Sequence, residues 1–106
     1  MNPLLCILVL ILTIRAVFEG NLKKWNAGGA LQKSLIIEWK SASERNKLAT
    51  CFDLLAPNHP ALTLQELHVL SEELKIHIDE AVIDDKSLDN YKVTEIAAMC
   101  LVLMEN

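Results

Sequence analysis

The sequence predicts an all-α protein: one N-terminal hydrophobic helix followed by a small bundle of three amphipathic helices. Two observations carry this. Pro3 to Phe18 reads PLLCILVLILTIRAVF, in which only Thr13 and Arg15 are clearly polar. Beyond it, apolar residues recur at intervals of three and four in stretches separated by Gly- or Pro-bearing breakers and an acidic loop, the pattern of helices burying one face. The alternative fold is a soluble four-helix bundle in which the first helix forms the core. With 106 residues there is room for one domain. The expected organisation is a hydrophobic helix within 1–25 and a helical domain over 31–106.

The first element admits three readings. As a membrane anchor, Pro3 to Glu19 makes a helix of about 25 Å, slightly short of a hydrocarbon core near 30 Å. Leu4, Leu8, Leu12 and Phe18 mark this span. Arg15 lies one turn from its end, where a long stem carries charge to the interface. Lys23, Lys24 and Trp25 follow, the residue types that anchor a helix at a membrane surface, and the other flank has no charged side chain. Basic residues favour the inner side, so the following domain is expected on the cytoplasmic or matrix side of a single-pass protein. As a cleaved signal peptide, Leu4 to Leu12 has the right length and Ala16 is a small residue near a cleavage point. An n-region without Lys or Arg and an Arg just before cleavage count against it. The third reading is the buried core helix, apolar on all sides. The 52% apolar composition and mean hydropathy of +0.27 are raised by this run and are discounted for the remainder.

Asn26-Ala27-Gly28-Gly29-Ala30 is the clearest breaker. The next helical stretch runs from about Leu31 to Ala56, with Leu35, Trp39, Ala42, Ala49 and Phe52 at helical spacing and Leu48, Cys51 and Leu55 widening the face. Its middle, SASERNK, is polar all round, and Ser41-Ala42-Ser43-Glu44 has capping-box spacing. One long helix or two abutting helices fit, with Leu35 to Trp39 as a short strand in a split arrangement. Pro57-Asn58-His59-Pro60 ends this element.

Thr63-Leu64-Gln65-Glu66 is a capping box ahead of an apolar-periodic run, predicting a helix over roughly Leu64 to Val82. Leu64, Leu67, Leu70, Leu74, Ile78 and Val82 advance by three or four throughout. Its tail, Lys75 to Asp79, alternates like a strand for five residues. Asp84 to Asn90 reads as an acidic loop, and a last helix is expected from about Asn90 to Met104. Val93, Ile96, Ala97, Cys100, Leu101 and Met104 share one face there. The final turn, Ala98 to Met104, is apolar nearly all round, which implies that the core, a partner or lipid covers it.

Charge is distributed unevenly. Asn21 to Thr50 carries six basic residues against two acidic ones, whereas Cys51 to Asn106 carries three against eleven. An acidic half with few aromatic residues argues against a nucleic-acid partner, because phosphate binding needs clustered Lys and Arg.

Catalytic and metal signals are weak. His68 and His77 lie on opposite faces of one helix and cannot share a metal. His77 has Glu73 and Glu80 within reach, but Glu95 is the only acid within the last helix and no histidine accompanies it. Asp85, Ser87 and Asp89 imitate a calcium loop, but Asn90 replaces its glycine and Ile96 stands where the bidentate glutamate belongs. Cys51 and His59 form the nearest nucleophile–base pair, without a third orienting group. No CxxC, GxSxG, HExxH or phosphate-cradling glycine loop occurs. Cys51 and Cys100 read as buried thiols, with a disulfide between them attractive only in an exported protein.

These features predict no enzyme, no metal and no cofactor. The expected role is protein–protein interaction, as an accessory or inhibitory subunit held at a lipid bilayer, its partner another protein or larger complex. The alternative is a soluble or exported small helical binding protein. The apolar end of the last helix, with Leu101 and Met104, and the face carrying Trp39 and Phe52 are the candidate contact surfaces.

Overall fold

The computed structural model describes residues 25–105. Within them lie four α-helices: α1, Ile36–Ser41; α2, Glu44–Leu55; α3, Leu64–Val82; and α4, Val93–Glu105. Two 3-10 turns, Ala56–Asn58 and Lys86–Leu88, link α2 to α3 and α3 to α4. No strand occurs among the described residues; Leu35 and Lys92 form an isolated antiparallel bridge. The all-helical class agrees with the sequence. The apolar run, including Leu4, Leu8, Leu12, Phe18 and the flanking Lys23 and Lys24, lies outside the described residues.

The stretch read as Leu31 to Ala56 is divided. Ala42 and Ser43 are extended, with φ/ψ of −76/158 and −68/151. Ser43 serves as N-cap of α2, its hydroxyl accepting from the Asn46 N–H at 3.1 Å. The cap is therefore Ser43, two residues beyond the Ser41 of the recognised spacing, and the Ser41 hydroxyl donates instead to the Glu38 carbonyl at 3.2 Å. Leu35 to Trp39 is not a strand, because helix begins at Ile36 and only Leu35 pairs. Leu55 ends α2 as expected, and Pro57 sits in the first turn of the 3-10 segment, where its missing N–H costs nothing.

Helix α3 begins at the anticipated capping box. The Glu66 N–H donates to the Thr63 hydroxyl, and the Thr63 N–H donates to the Glu66 carboxylate, both at 3.1 Å. The helix runs unbroken through the alternating Lys75–Asp79 segment to Val82. Helix α4 starts at Val93 and not at Asn90, because the preceding residues tie the chain back to α1. The Ile36 and Ile37 N–H groups donate to the Tyr91 and Asp89 carbonyls at 2.8 and 3.1 Å, and the Val93 N–H donates to the Ser34 carbonyl at 2.9 Å.

The core lies between α2, α3 and α4 and is closed by α1. Ile36, Trp39, Cys51, Leu74 and Ile78 have no exposed surface, and Leu55, Val82, Val93, Ile96 and Ala97 are 2% exposed or less. Leu64, expected on the buried face of α3, is 55% exposed, since it precedes the first turn that meets the core. Ser71 fits among these apolar neighbours by donating to the Leu67 carbonyl at 2.6 Å.

The glycine-bearing segment does more than break the chain. Gly28 has φ of +85°, the left-handed region that favours glycine. A Cβ at Gly29 would stand 2.7 Å from the Ala49 carbonyl carbon and the Thr50 nitrogen, so this backbone lies directly on α2. The Ala30 and Leu31 N–H groups donate to Asn46 Oδ1 at 2.9 Å and Thr50 Oγ1 at 3.2 Å, and Gln32 Nε2 reaches Asp53 Oδ2 at 2.7 Å. Contacts to the helical domain thus begin before Leu31.

Candidate functional site

Where α1, α2 and α3 meet, the buried polar groups are mutually satisfied. Trp39 Nε1 donates to Asp79 Oδ1 at 2.8 Å, and Lys47 Nζ reaches the same oxygen at 3.1 Å. Lys47, 7% exposed, also lies 5.6 Å from the Trp39 ring centroid, a cation–π distance. Nearby, Lys75 Nζ pairs with Glu44 at 2.6 Å and Glu72 at 3.7 Å. The hydrogen bond from Lys75 holds the Glu44 carboxyl below its ordinary value. Burial opposes the charge of Lys75, but its hydrogen bond to Glu44 and the surrounding carboxylates outweigh this and raise its pKa. No buried side-chain nitrogen or oxygen among the described residues lacks a partner. Such a network closes a core.

Trp39 is therefore a core residue of this chain and not an exposed contact residue. Helical spacing placed it on an apolar face but could not show that this face of so short a helix turns inward. Phe52 is half-buried, edge-on to Trp25 with ring centroids 5.2 Å apart. Trp25 also stands edge-on to His68 at 4.4 Å, so its ring rests on the helical domain, spanning α2 and α3. Leu101 and Met104 are half-buried and pack against the core.

What α4 does expose is the turn beside them. Met99, Val102 and Leu103 are 59, 60 and 70% exposed and lie within one turn of each other. Sequence reasoning noticed that this turn is apolar all round but named its inward residues. Another outward apolar row, Val69 and Ile76 on α3 and Ile83 just beyond its end, was missed altogether. Its seven-residue spacing was the available signal, hidden behind the stronger three-and-four pattern of the buried face.

The residues weighed for chemistry are occupied. Burial pushes the Cys51 thiol up to about 12 and raises Cys100 as well, so both are protonated at neutral pH. Both are buried free thiols. Nδ1 of His59 lies 2.9 Å from the Leu55 carbonyl, and Nδ1 of His77 lies 2.8 Å from the Glu73 carbonyl. Asp85 accepts from the Ser87 N–H and hydroxyl, and Asp89 pairs with Lys40 at 2.6 Å. The would-be calcium carboxylates thereby close a turn and tie it to α1. Among the described residues no group of three or more His, Cys, Asp or Glu could hold a metal ion.

Comparison with family models, with curated proteins and with solved structures finds no match for this chain. Among the described residues, the outward apolar rows along α3 and on α4 group exposed aliphatic side chains that the core does not use.

Proposed function

We propose that this chain is a non-enzymatic interaction protein, an accessory or inhibitory subunit held at a membrane by its N-terminal apolar run. The single observation that carries the interaction reading is the exposed turn of α4, where Met99, Val102 and Leu103 stand in water with more than half of their surface. Scattered exposed apolar residues are ordinary, but adjacent ones at one helix end form a patch suited to a partner.

The membrane reading rests on the sequence of Pro3 to Phe18. No helix among the described residues is long and apolar enough to cross a membrane; the proposed span is the apolar run. Six residues separate Phe18 from Trp25, whose ring is seated on Phe52 and His68. The domain would then sit close to the bilayer, on its cytoplasmic or matrix side.

The outward rows also favour one alternative, a soluble bundle in which the apolar run lies against them. Carbonate washing of cell membranes separates the two. The full chain is expected in the pellet, and recovery in the supernatant would overturn the anchor. For the interaction role, Met99→Gln/Val102→Gln/Leu103→Gln should abolish recovery of the partner that co-purifies with the unaltered chain. Full retention of that partner would remove α4 as the contact.

A further inference from the structure

Helix α3 is apolar on two opposite faces. Leu67, Leu74, Ile78 and Val82 turn into the core and are 7% exposed or less, while Val69, Ile76 and Ile83 are 55, 46 and 70% exposed. Residues seven apart drift by only about 20° around a helix, so the outer three make one straight row. From Val69 to Ile83 it runs about 21 Å at the helical rise per residue. Ile83 keeps helical angles (φ −58, ψ −40) and continues the row past the end of α3.

The row is bordered by acid. Glu66, Glu73 and Glu80, also seven apart and exposed, stand three or four residues from the aliphatic positions along one flank. Gln65, Glu72 and Asp79 occupy the other. That second flank is largely neutralised within the fold, because Glu72 pairs with Lys75 and Asp79 with Lys47. Glu66 is engaged in its capping box. Glu73 and Glu80 make no ion pair among the described residues. The outer surface of α3 is thus an aliphatic ridge with an uncompensated acidic edge.

We propose that this face docks a basic amphipathic helix of a partner protein. The partner's apolar residues, repeating every seven, lie along Val69, Ile76 and Ile83, and its Lys or Arg residues face Glu73 and Glu80. The chemistry selects this occupant over three others. The chain's own apolar run, Pro3 to Phe18, brings only Arg15 to face Glu73 and Glu80. A second copy of the chain would bring acidic edges together, and like charges across a helix pair are unfavourable. An anionic membrane surface attracts basic and repels acidic helices. A basic heptad helix satisfies the ridge by burial and the edge by charge complementarity. The inference adds a partner chemistry to the interaction role proposed above and rests on that role, but not on the α4 patch or the membrane anchor.

The test uses the full chain and two synthetic helices of about 21 residues, three heptads each. They share one leucine pattern, and their flanking positions are lysine in one and glutamate in the other. The lysine helix should bind at least roughly tenfold more tightly than the glutamate helix, a difference of about 1.4 kcal/mol. Both Val69→Gln/Ile76→Gln/Ile83→Gln and Glu73→Lys/Glu80→Lys should erase that preference, with helical circular dichroism unchanged because the substituted sites are exposed. Added salt should weaken binding. Equal binding of the two helices, binding of neither, or binding unaffected by the glutamine substitutions would overturn the proposal. So would self-association lost in the glutamine variant, which would assign the ridge to a second copy. Attachment to phosphatidylcholine vesicles that the same substitutions abolish would assign it to lipid. The carbonate wash and the α4 substitutions report on the earlier reading and are unaffected by these outcomes.

Discussion

Along α3, the inward row of Leu67, Leu74, Ile78 and Val82 and the outward row of Val69, Ile76 and Ile83 are built from the same kinds of aliphatic residue. One is covered by α2 and α4 and the other faces water. Composition does not distinguish them; spacing and surroundings do. The inner row advances by three and four, follows the helical repeat and meets a close-packed interior. The outer row advances by seven and meets carboxylates. Burial of the first contributes to folding, whereas the second contributes only when something is laid on it.

That contrast can be broken in graded ways. Leu74→Ala empties a fully buried site and should cost about 2–5 kcal/mol in urea unfolding, while Ile76→Ala two residues away should stay within about 0.5 kcal/mol. Equal losses would show that both faces are packed. Asp79→Ala removes the shared acceptor of Trp39 and Lys47 and leaves a cation 7% exposed with only the longer Glu44 contact at 3.4 Å. The loss should be about 2–3 kcal/mol, at the low end for buried pairs because Asp79 is partly solvated. Gly29→Ala pushes a methyl group against the α2 backbone and should cost about 1–3 kcal/mol. A neutral result would show that the glycine-bearing segment can lift from α2.

The smallest effect is electrostatic. Glu44 is held below its ordinary value of 4.5, chiefly by its hydrogen bond from Lys75. Its contribution is therefore complete above about pH 4.5 and disappears as the pH falls through the lower folded value. Glu44 is well exposed, so the loss between pH 6 and pH 3 that Glu44→Gln removes should be less than about 1 kcal/mol. A stability difference between the two proteins that grows toward acid pH would contradict the pairing.

The same helix shows what was readable in the chain. Thr63 and Glu66 announce the start of α3, and Leu67 to Val82 announce its inner face, because capping and periodicity are local. The division at Ala42–Ser43 was visible as an option but not decided, since a polar middle serves a solvated helix as well as a cap. Trp39 was misassigned because its covering partner, Asp79, lies forty residues away. Gly28 and Gly29 announced a turn, but nothing local showed that the turn would lie against Ala49 and Thr50. Likewise Asp85 and Asp89 resembled metal ligands until the turn they close and the link to Lys40 came into view. Local signals reach as far as the element; pairings between elements do not appear in them.

The most direct measurement is the unfolding free energy of Val69→Gln/Ile76→Gln/Ile83→Gln/Met99→Gln/Val102→Gln/Leu103→Gln in the full chain. Glutamine keeps good helix propensity while removing apolar surface. If these residues serve a partner and not the fold, the loss should remain within about 0.5 kcal/mol per site. A loss per site comparable to that of Leu74→Ala would contradict this and place the outward rows inside the chain's own core.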